Sequence, residues 1–166
     1  MELIYPNSKY LNDYIKAGEE YTQNNITTFK GFNSKVEGLL ERYEDYRLGR
    51  NLPLNHVPQV TYWLVDKGEL IGLINIRTRL NEDLLLHGGH IGYGIRVPFF
   101  KKGYGTKMLK MGLEKARNLG LKRVLITCLD DNIGSQKVIE KNGGVLENKI
   151  VLPLDNKLYR RYWIEL

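Results

Sequence analysis

The chain is 166 residues long and carries 25 Lys and Arg against 19 Asp and Glu, a formal charge of +6. With 42% hydrophobic and 27% charged residues it can bury a core, which excludes a disordered polyelectrolyte or a fibre, and its length suits one domain over 1–166. The charge is uneven: residues 1–95 hold 10 basic and 12 acidic side chains, whereas residues 96–166 hold 15 and 7, so the C-terminal part calls for an anionic partner.

Met1 to Asn7 lacks the basic region and apolar run of a secretory signal. No stretch approaches the roughly 18 to 20 apolar residues of a membrane span. One cysteine, Cys128, forms no internal disulfide, and with three scattered histidines it does not supply a structural zinc site. The expected protein is cytoplasmic and holds no metal.

In chain order, the pattern predicts a short strand at Met1–Tyr5, then a helix capped by Ser8 with Leu11, Tyr14 and Ile15 at helical spacing. A second helix is expected from about Ser34 to Leu48. At Gln59 the period changes to two. Val60–Val65 and Leu70–Ile76, joined by Asp66-Lys67-Gly68-Glu69, read as a hairpin. After an expected loop at Arg79–Gly89, a third strand alternates Ile91, Tyr93, Ile95 and Val97 with His90, Gly92, Gly94 and Arg96. One of its faces is apolar and the other nearly bare, as where something approaches the backbone closely. A helix from about Gly103 to Gly120 follows, then Arg123–Leu129, apolar on both faces like a covered central strand. A last helix from Ile133 to Asn142 and the strands Val145–Leu152 and Leu158–Ile164 complete an α/β (α+β) pattern.

The chemistry concentrates at Arg96 to Thr106, where a Gly-rich, Lys-bearing turn joins a strand to a helix. Glycines let backbone N–H groups face an anion unobstructed, and the helix N-terminus adds its dipole, so the turn reads as a phosphate cradle. It is neither a P-loop nor the dinucleotide fingerprint, because no Gly-Lys-Ser/Thr follows and the third glycine is missing.

His90-Ile91-Gly92-Tyr93-Gly94-Ile95-Arg96-Val97 followed by Lys102-Gly103-Tyr104-Gly105-Thr106 resembles motif A of the GCN5-related N-acetyltransferase (GNAT) family. Asp131-Asn132-Ile133-Gly134-Ser135 through Glu140-Lys141-Asn142-Gly143-Gly144 resembles its motif B, and the element order agrees over essentially the whole chain. The resemblance implies a mixed central sheet with splayed central strands and helices on both faces. It implies acetyl-CoA as cosubstrate and acetyl transfer to an amine. The pyrophosphate would lie on the amides of Lys101, Lys102, Gly103, Tyr104, Gly105 and Thr106, and the pantetheine along Ile95, Arg96 and Val97. Asn132 would reach the pantetheine or a water, and Ser135 and Lys137 the nucleotide end.

The sequence departs from the family pattern at Phe100, where a Gln or Arg is usual, and at Ile139, where a tyrosine often serves as general acid. Cys128, at the end of the central strand, is the expected proton donor, with Tyr93, Tyr159 and Tyr162 behind it. His90, on the bare strand face and with an unperturbed pKa near neutrality, is the expected base. Glu82, Asp83 and His87 precede it as candidates to bind the acceptor amine. The expected partners are acetyl-CoA and an amine, with no nucleic acid and no membrane, and a homodimer is allowed. The rival reading is a catalytically weak or inactive acyl-CoA-binding protein of the same fold.

Overall fold

The structure, a computed structural model, describes residues 1–166. The chain enters through β1 (Glu2–Ile4) and a 3₁₀ turn (Ser8–Tyr10) into α1 (Leu11–Gln23). The cap is Asn7 rather than Ser8: its Oδ1 accepts from the Lys9 N–H. The second helix, α2 (Leu39–Leu48), starts five residues later than the apolar spacing suggests. Gly38, at φ 61°, breaks the helical path, and Asn33 holds the preceding segment in a turn through the Lys35 N–H.

β2 (Gln59–Asp66) and β3 (Glu69–Arg77) form the expected hairpin. Lys67 and Gly68 both have positive φ, as a type I′ turn requires. A short helix not foreseen, α3 (Glu82–Leu86), follows, capped by Asn81 on the Leu84 N–H. β4 (Ile91–Ile95) stops short of Val97 because Pro98 turns the chain into a 3₁₀ segment (Val97–Phe99). Then come α4 (Tyr104–Asn118), β5 (Arg123–Leu129), α5 (Ile133–Lys141), β6 (Val145–Leu152) and β7 (Lys157–Glu165).

The strands form two antiparallel sheets, β1-β2-β3-β4 and β5-β7-β6. α1 and α2 cover one face through Tyr14, Ala17, Tyr21 and Leu39 on Trp63, Leu70 and Leu73; Tyr14 stacks on the fully buried Trp63. α4 and α5 cover the other through Met108, Leu109, Ala116 and Ile139 on Ile74, Ile76, Ile91, Val124 and Ile126. Each large apolar side chain so buried contributes about 1.5–3 kcal/mol relative to exposure. The expected splay of the central strands is complete enough to divide the sheet in two: β4 and β5 run side by side, touch at one junction and form no ladder.

Candidate functional site

The junction is made by His90. Its N–H donates to the Leu125 carbonyl (2.8 Å), and the Leu125 N–H donates back to His90 Nδ1 (2.9 Å). Further along, β4 and β5 separate. Arg77 N–H reaches the His90 carbonyl and Arg96 N–H the Ile71 carbonyl, so the even-numbered residues of β4 turn their backbone groups toward β3. The odd-numbered Ile91, Tyr93 and Ile95 therefore turn theirs toward β5, across a gap with no ladder. A wedge of unpaired strand edge is thereby built into the middle of the molecule.

At the wide end of the wedge stands the N-terminus of α4. Gly103 caps it at φ 82°, a conformation that favours glycine, and the first intrahelical bond is Lys107 N–H to the Gly103 carbonyl. The amides of Tyr104, Gly105 and Thr106 are left without helical partners, and no acidic side chain occupies the first turn. The Tyr104 side chain turns away to donate to Asp66 Oδ2 (3.0 Å), so only its amide faces the site. A Cβ on Gly105 would lie 3.2 Å from Val138 and 3.9 Å from Ile95, which fixes this turn against both α5 and the end of β4. Lys101 and Lys102 are exposed beside it, and Lys137 is exposed on α5.

On the α5 side of the gap three side chains meet. Tyr93 Oη lies 2.8 Å from Ser135 Oγ, and the Ser135 hydroxyl is close enough to Cys128 to act on its thiol. Burial raises the Tyr93 hydroxyl well above its ordinary range and pushes the Cys128 thiol up to about 11, so both keep their protons at neutral pH. Asn132 caps α5 by accepting from the Ser135 N–H (3.0 Å), which holds that serine in place. Of the other expected donors, Tyr162 is bonded to Glu140 and Tyr159 to Asp155, so both hydroxyls are committed, and Ile139 is wholly buried in the core.

Three expectations need correcting. His90 has no lone pair to offer: Nδ1 is occupied by the Leu125 N–H, which places the ring proton on Nε2, and burial with nearby Arg77 and Arg123 holds it down to about 4. Its position on the bare face was legible, but its use as a backbone acceptor was not. Arg96 and Val97 do not offer free donors. The Arg96 amide is bound to Ile71 and its guanidinium, 4% exposed, pairs with Glu20 (2.6 Å) and the Leu70 carbonyl. Val97 N–H donates to Glu20 Oε2 (3.2 Å). Of the three residues expected along the pantetheine, only Ile95 faces the gap, and its carbonyl accepts from Tyr21 Oη (2.8 Å). Lastly, the bare strand face is not empty: a Cβ at Gly94 would fall on the Phe29 ring and 2.8 Å from Tyr21 Oη. The buried stripe Tyr14, Ala17, Gly18 and Tyr21 could have pointed Tyr21 inward, whereas no sequence signal marks Phe29.

The Acetyltransferase (GNAT) domain profile matches residues 11–145. Among solved structures, the chain is similar to the microcin C7 self-immunity acetyltransferase MccE in complex with acetyl-CoA and AMP, at 18% identity and TM-score 0.75, covering 99% of this chain and 91% of that one. Mycobacterium smegmatis RimJ in complex with CoA-disulfide matches at 18% identity and TM-score 0.74, covering 98% and 80%. A spermidine N-acetyltransferase SpeG variant from Vibrio cholerae matches at 16% identity and TM-score 0.67, covering 99% and 95%. No curated protein sequence matches the chain.

Proposed function

The chain belongs to the GNAT acetyltransferase family, and we propose that it transfers the acetyl group of acetyl-CoA directly to an amine. The observation that carries this reading is the wedge between β4 and β5, with a glycine-capped helix N-terminus at its open end. The free amides of Tyr104, Gly105 and Thr106, with Gly103, Lys101 and Lys102 beside them, suit a pyrophosphate. The edge at Tyr93 and Ile95 suits the pantetheine amides, which would extend the sheet as an added strand. Asn132, which caps α5, would line the same arm, and Lys137, midway along α5, would reach the nucleotide end.

When bound, acetyl-CoA supplies an electrophilic thioester carbonyl and a thiolate leaving group. Everything else falls to the chain. An amide of β4 donates to the charge developing on the carbonyl oxygen. Ser135, expected at the nucleotide end but hydrogen-bonded to Tyr93 beside the gap and close to Cys128, gives a proton to the departing sulfur, a role the common tyrosine would otherwise fill from the position of Ile139. Holding amine and thioester in line supplies on the order of 7–11 kcal/mol. A positioned acid or base adds roughly 10²–10⁴-fold. Positioning is thus the larger contribution, and the preformed wedge supplies it. The buried free thiol of Cys128 suits a reducing compartment such as the cytoplasm.

Calorimetric titration with CoA, followed by thiol release from acetyl-CoA in the presence of amines, tests this reading. CoA binding together with amine-dependent thiol release is expected. Binding without transfer would favour an acyl-CoA-binding protein of the same fold, and no binding would overturn both.

A further inference from the structure

With His90 committed to the backbone, the attacking amine still needs a group to receive its proton. Of the other histidines, His56 is bonded through Nδ1 to the Tyr46 hydroxyl, in a cleft bounded by Gln59 and Arg77 at the far end of the hairpin. His87 is different. Nothing in the protein hydrogen-bonds its imidazole, and its side chain is partly covered and partly open to solvent.

Its position follows from two anchors. Gly88 N–H donates to Thr127 Oγ1 (2.9 Å) and His90 N–H to the Leu125 carbonyl (2.8 Å). Residues 87–90 are therefore laid along the face of β5 opposite α4 and α5, running back from its C-terminal half to the junction. The His87 ring stands edge-on to Tyr159 at 4.5 Å between centroids, and Tyr159 pairs with Leu129, the last residue of β5. That is the wide end of the wedge. On the same face Phe29 covers Gly94, so Phe29 from the α1–α2 connection and the His87–Tyr159 pair stand on the side of the wedge left to an acceptor. The proton donors Ser135 and Cys128 lie on the opposite face.

We propose that His87 is the general base of the transfer, positioned by Tyr159, whose hydroxyl is in turn held by Asp155 (2.8 Å). The inference rests on the acetyltransferase reading above. As the amine nitrogen bonds to the carbonyl carbon, the C–S bond breaks and its electron pair stays on sulfur. The nitrogen's proton passes to the His87 imidazole and then to water, while sulfur takes one proton from the Ser135 side, so one proton leaves and one enters. The charged groups near enough to act on the ring are Asp155 from the β6–β7 turn, Arg77 from β3 and Lys30 from the α1–α2 connection, and the Tyr159 ring from β7 stands against it. Burial, Arg77 and Lys30 lower its pKa from 6.5 and Asp155 opposes them, so the ring is neutral at pH 7 and can accept a proton.

The test uses the full chain with His87→Gln and His87→Ala, CoA titration, and thiol release with hydroxylamine, spermidine and a seryl tripeptide as acceptors. For the acceptor turned over fastest, wild-type kcat/KM should rise with pH through a break below 6.5. Both variants should lose that break and about 10²-fold in kcat, with CoA affinity and thermal midpoint unchanged, and added imidazole should restore part of the rate in His87→Ala. A His87→Gln variant that keeps the rate and the break overturns this inference alone. Wild-type protein that turns over none of the three acceptors overturns the acetyltransferase reading together with it.

Discussion

His90 is a histidine that the fold uses on its own backbone, and its protonation is coupled to folding. In the unfolded chain it titrates near 6.5, and in the native state it is held down to about 4. Between those values the unfolded state binds more protons than the native one, so stability is full above about pH 6.5 and falls as pH drops toward 4. The full effect is on the order of 3 kcal/mol, from about 1.4 kcal/mol per pKa unit. Urea midpoints measured from pH 7 to 4.5 should fall for the wild type more steeply than for His90→Asn, which keeps an acceptor for the Leu125 N–H but has no proton to gain. Parallel curves would mean that the histidine is not held neutral. The same residue shows the limit of reading a site from one strand. Its place on the bare face is visible in the alternation of Ile91, Tyr93 and Ile95, but what its nitrogen meets is decided by Leu125, 35 residues away.

At the scale of elements, α4 is where sequence and structure agree most closely, because its signals are local. Gly103 and Gly120 bracket it, Met108, Leu109, Gly112 and Ala116 share its buried face, and Lys115 and Arg117 sit in its last turn where the dipole favours cations. Gly103 makes a clean test. A Cβ there meets nothing within 4 Å, so Gly103→Ala carries no clash and only the left-handed backbone strain of about 1–2 kcal/mol. If the cradle must keep that conformation, the penalty appears as lost stability. If the turn relaxes instead, CoA affinity should weaken by about tenfold. Unchanged urea midpoint and unchanged CoA affinity together would show that the turn has no role in either. α2 and α3 were less legible for the opposite reason. Val36 continues an apolar spacing that Gly38 cuts off, and Asn81-Glu82-Asp83 is a helix start too short to stand out from a polar loop. The two-sheet split could not be read from the alternation of β4, which is the same whether or not its far edge is paired; only the family resemblance pointed to splayed strands there.

For the molecule as a whole, the uneven charge has a location. Nine of the basic residues fall between Arg96 and Arg123, with Glu114 the one acid among them. Not all of them belong to the site: Arg96 is turned inward to Glu20, and Lys115 lies over the Tyr62 ring. The larger consequence is thermodynamic. A ligand that pairs with the open edges binds the native chain and not the unfolded one. CoA at 100 times its dissociation constant should therefore stabilise by about 2.7 kcal/mol and raise the thermal midpoint by about 5–10 °C for a chain of this size. Differential scanning fluorimetry with CoA checks this, and a midpoint that does not move would argue against binding in the wedge.

The wedge also bears on how the chain limits strand-to-strand association. An unpaired strand edge is a template for another molecule's strand. The outer edges of the two sheets are guarded in the usual ways: β1 has only three residues, and β6 carries Glu147 and Lys149 with a register shift between Leu146 and Asn148. The inner edge, Ile91-Gly92-Tyr93-Gly94-Ile95, has no charge, no proline and no bulge. Its protection is angular. Closed at His90 and open only toward Ile95, it admits a narrow, strand-like arm from one end but offers a foreign strand no flat length to lie against. The least guarded sequence in the sheet is therefore confined to the one place where neighbouring molecules have no room to add to it.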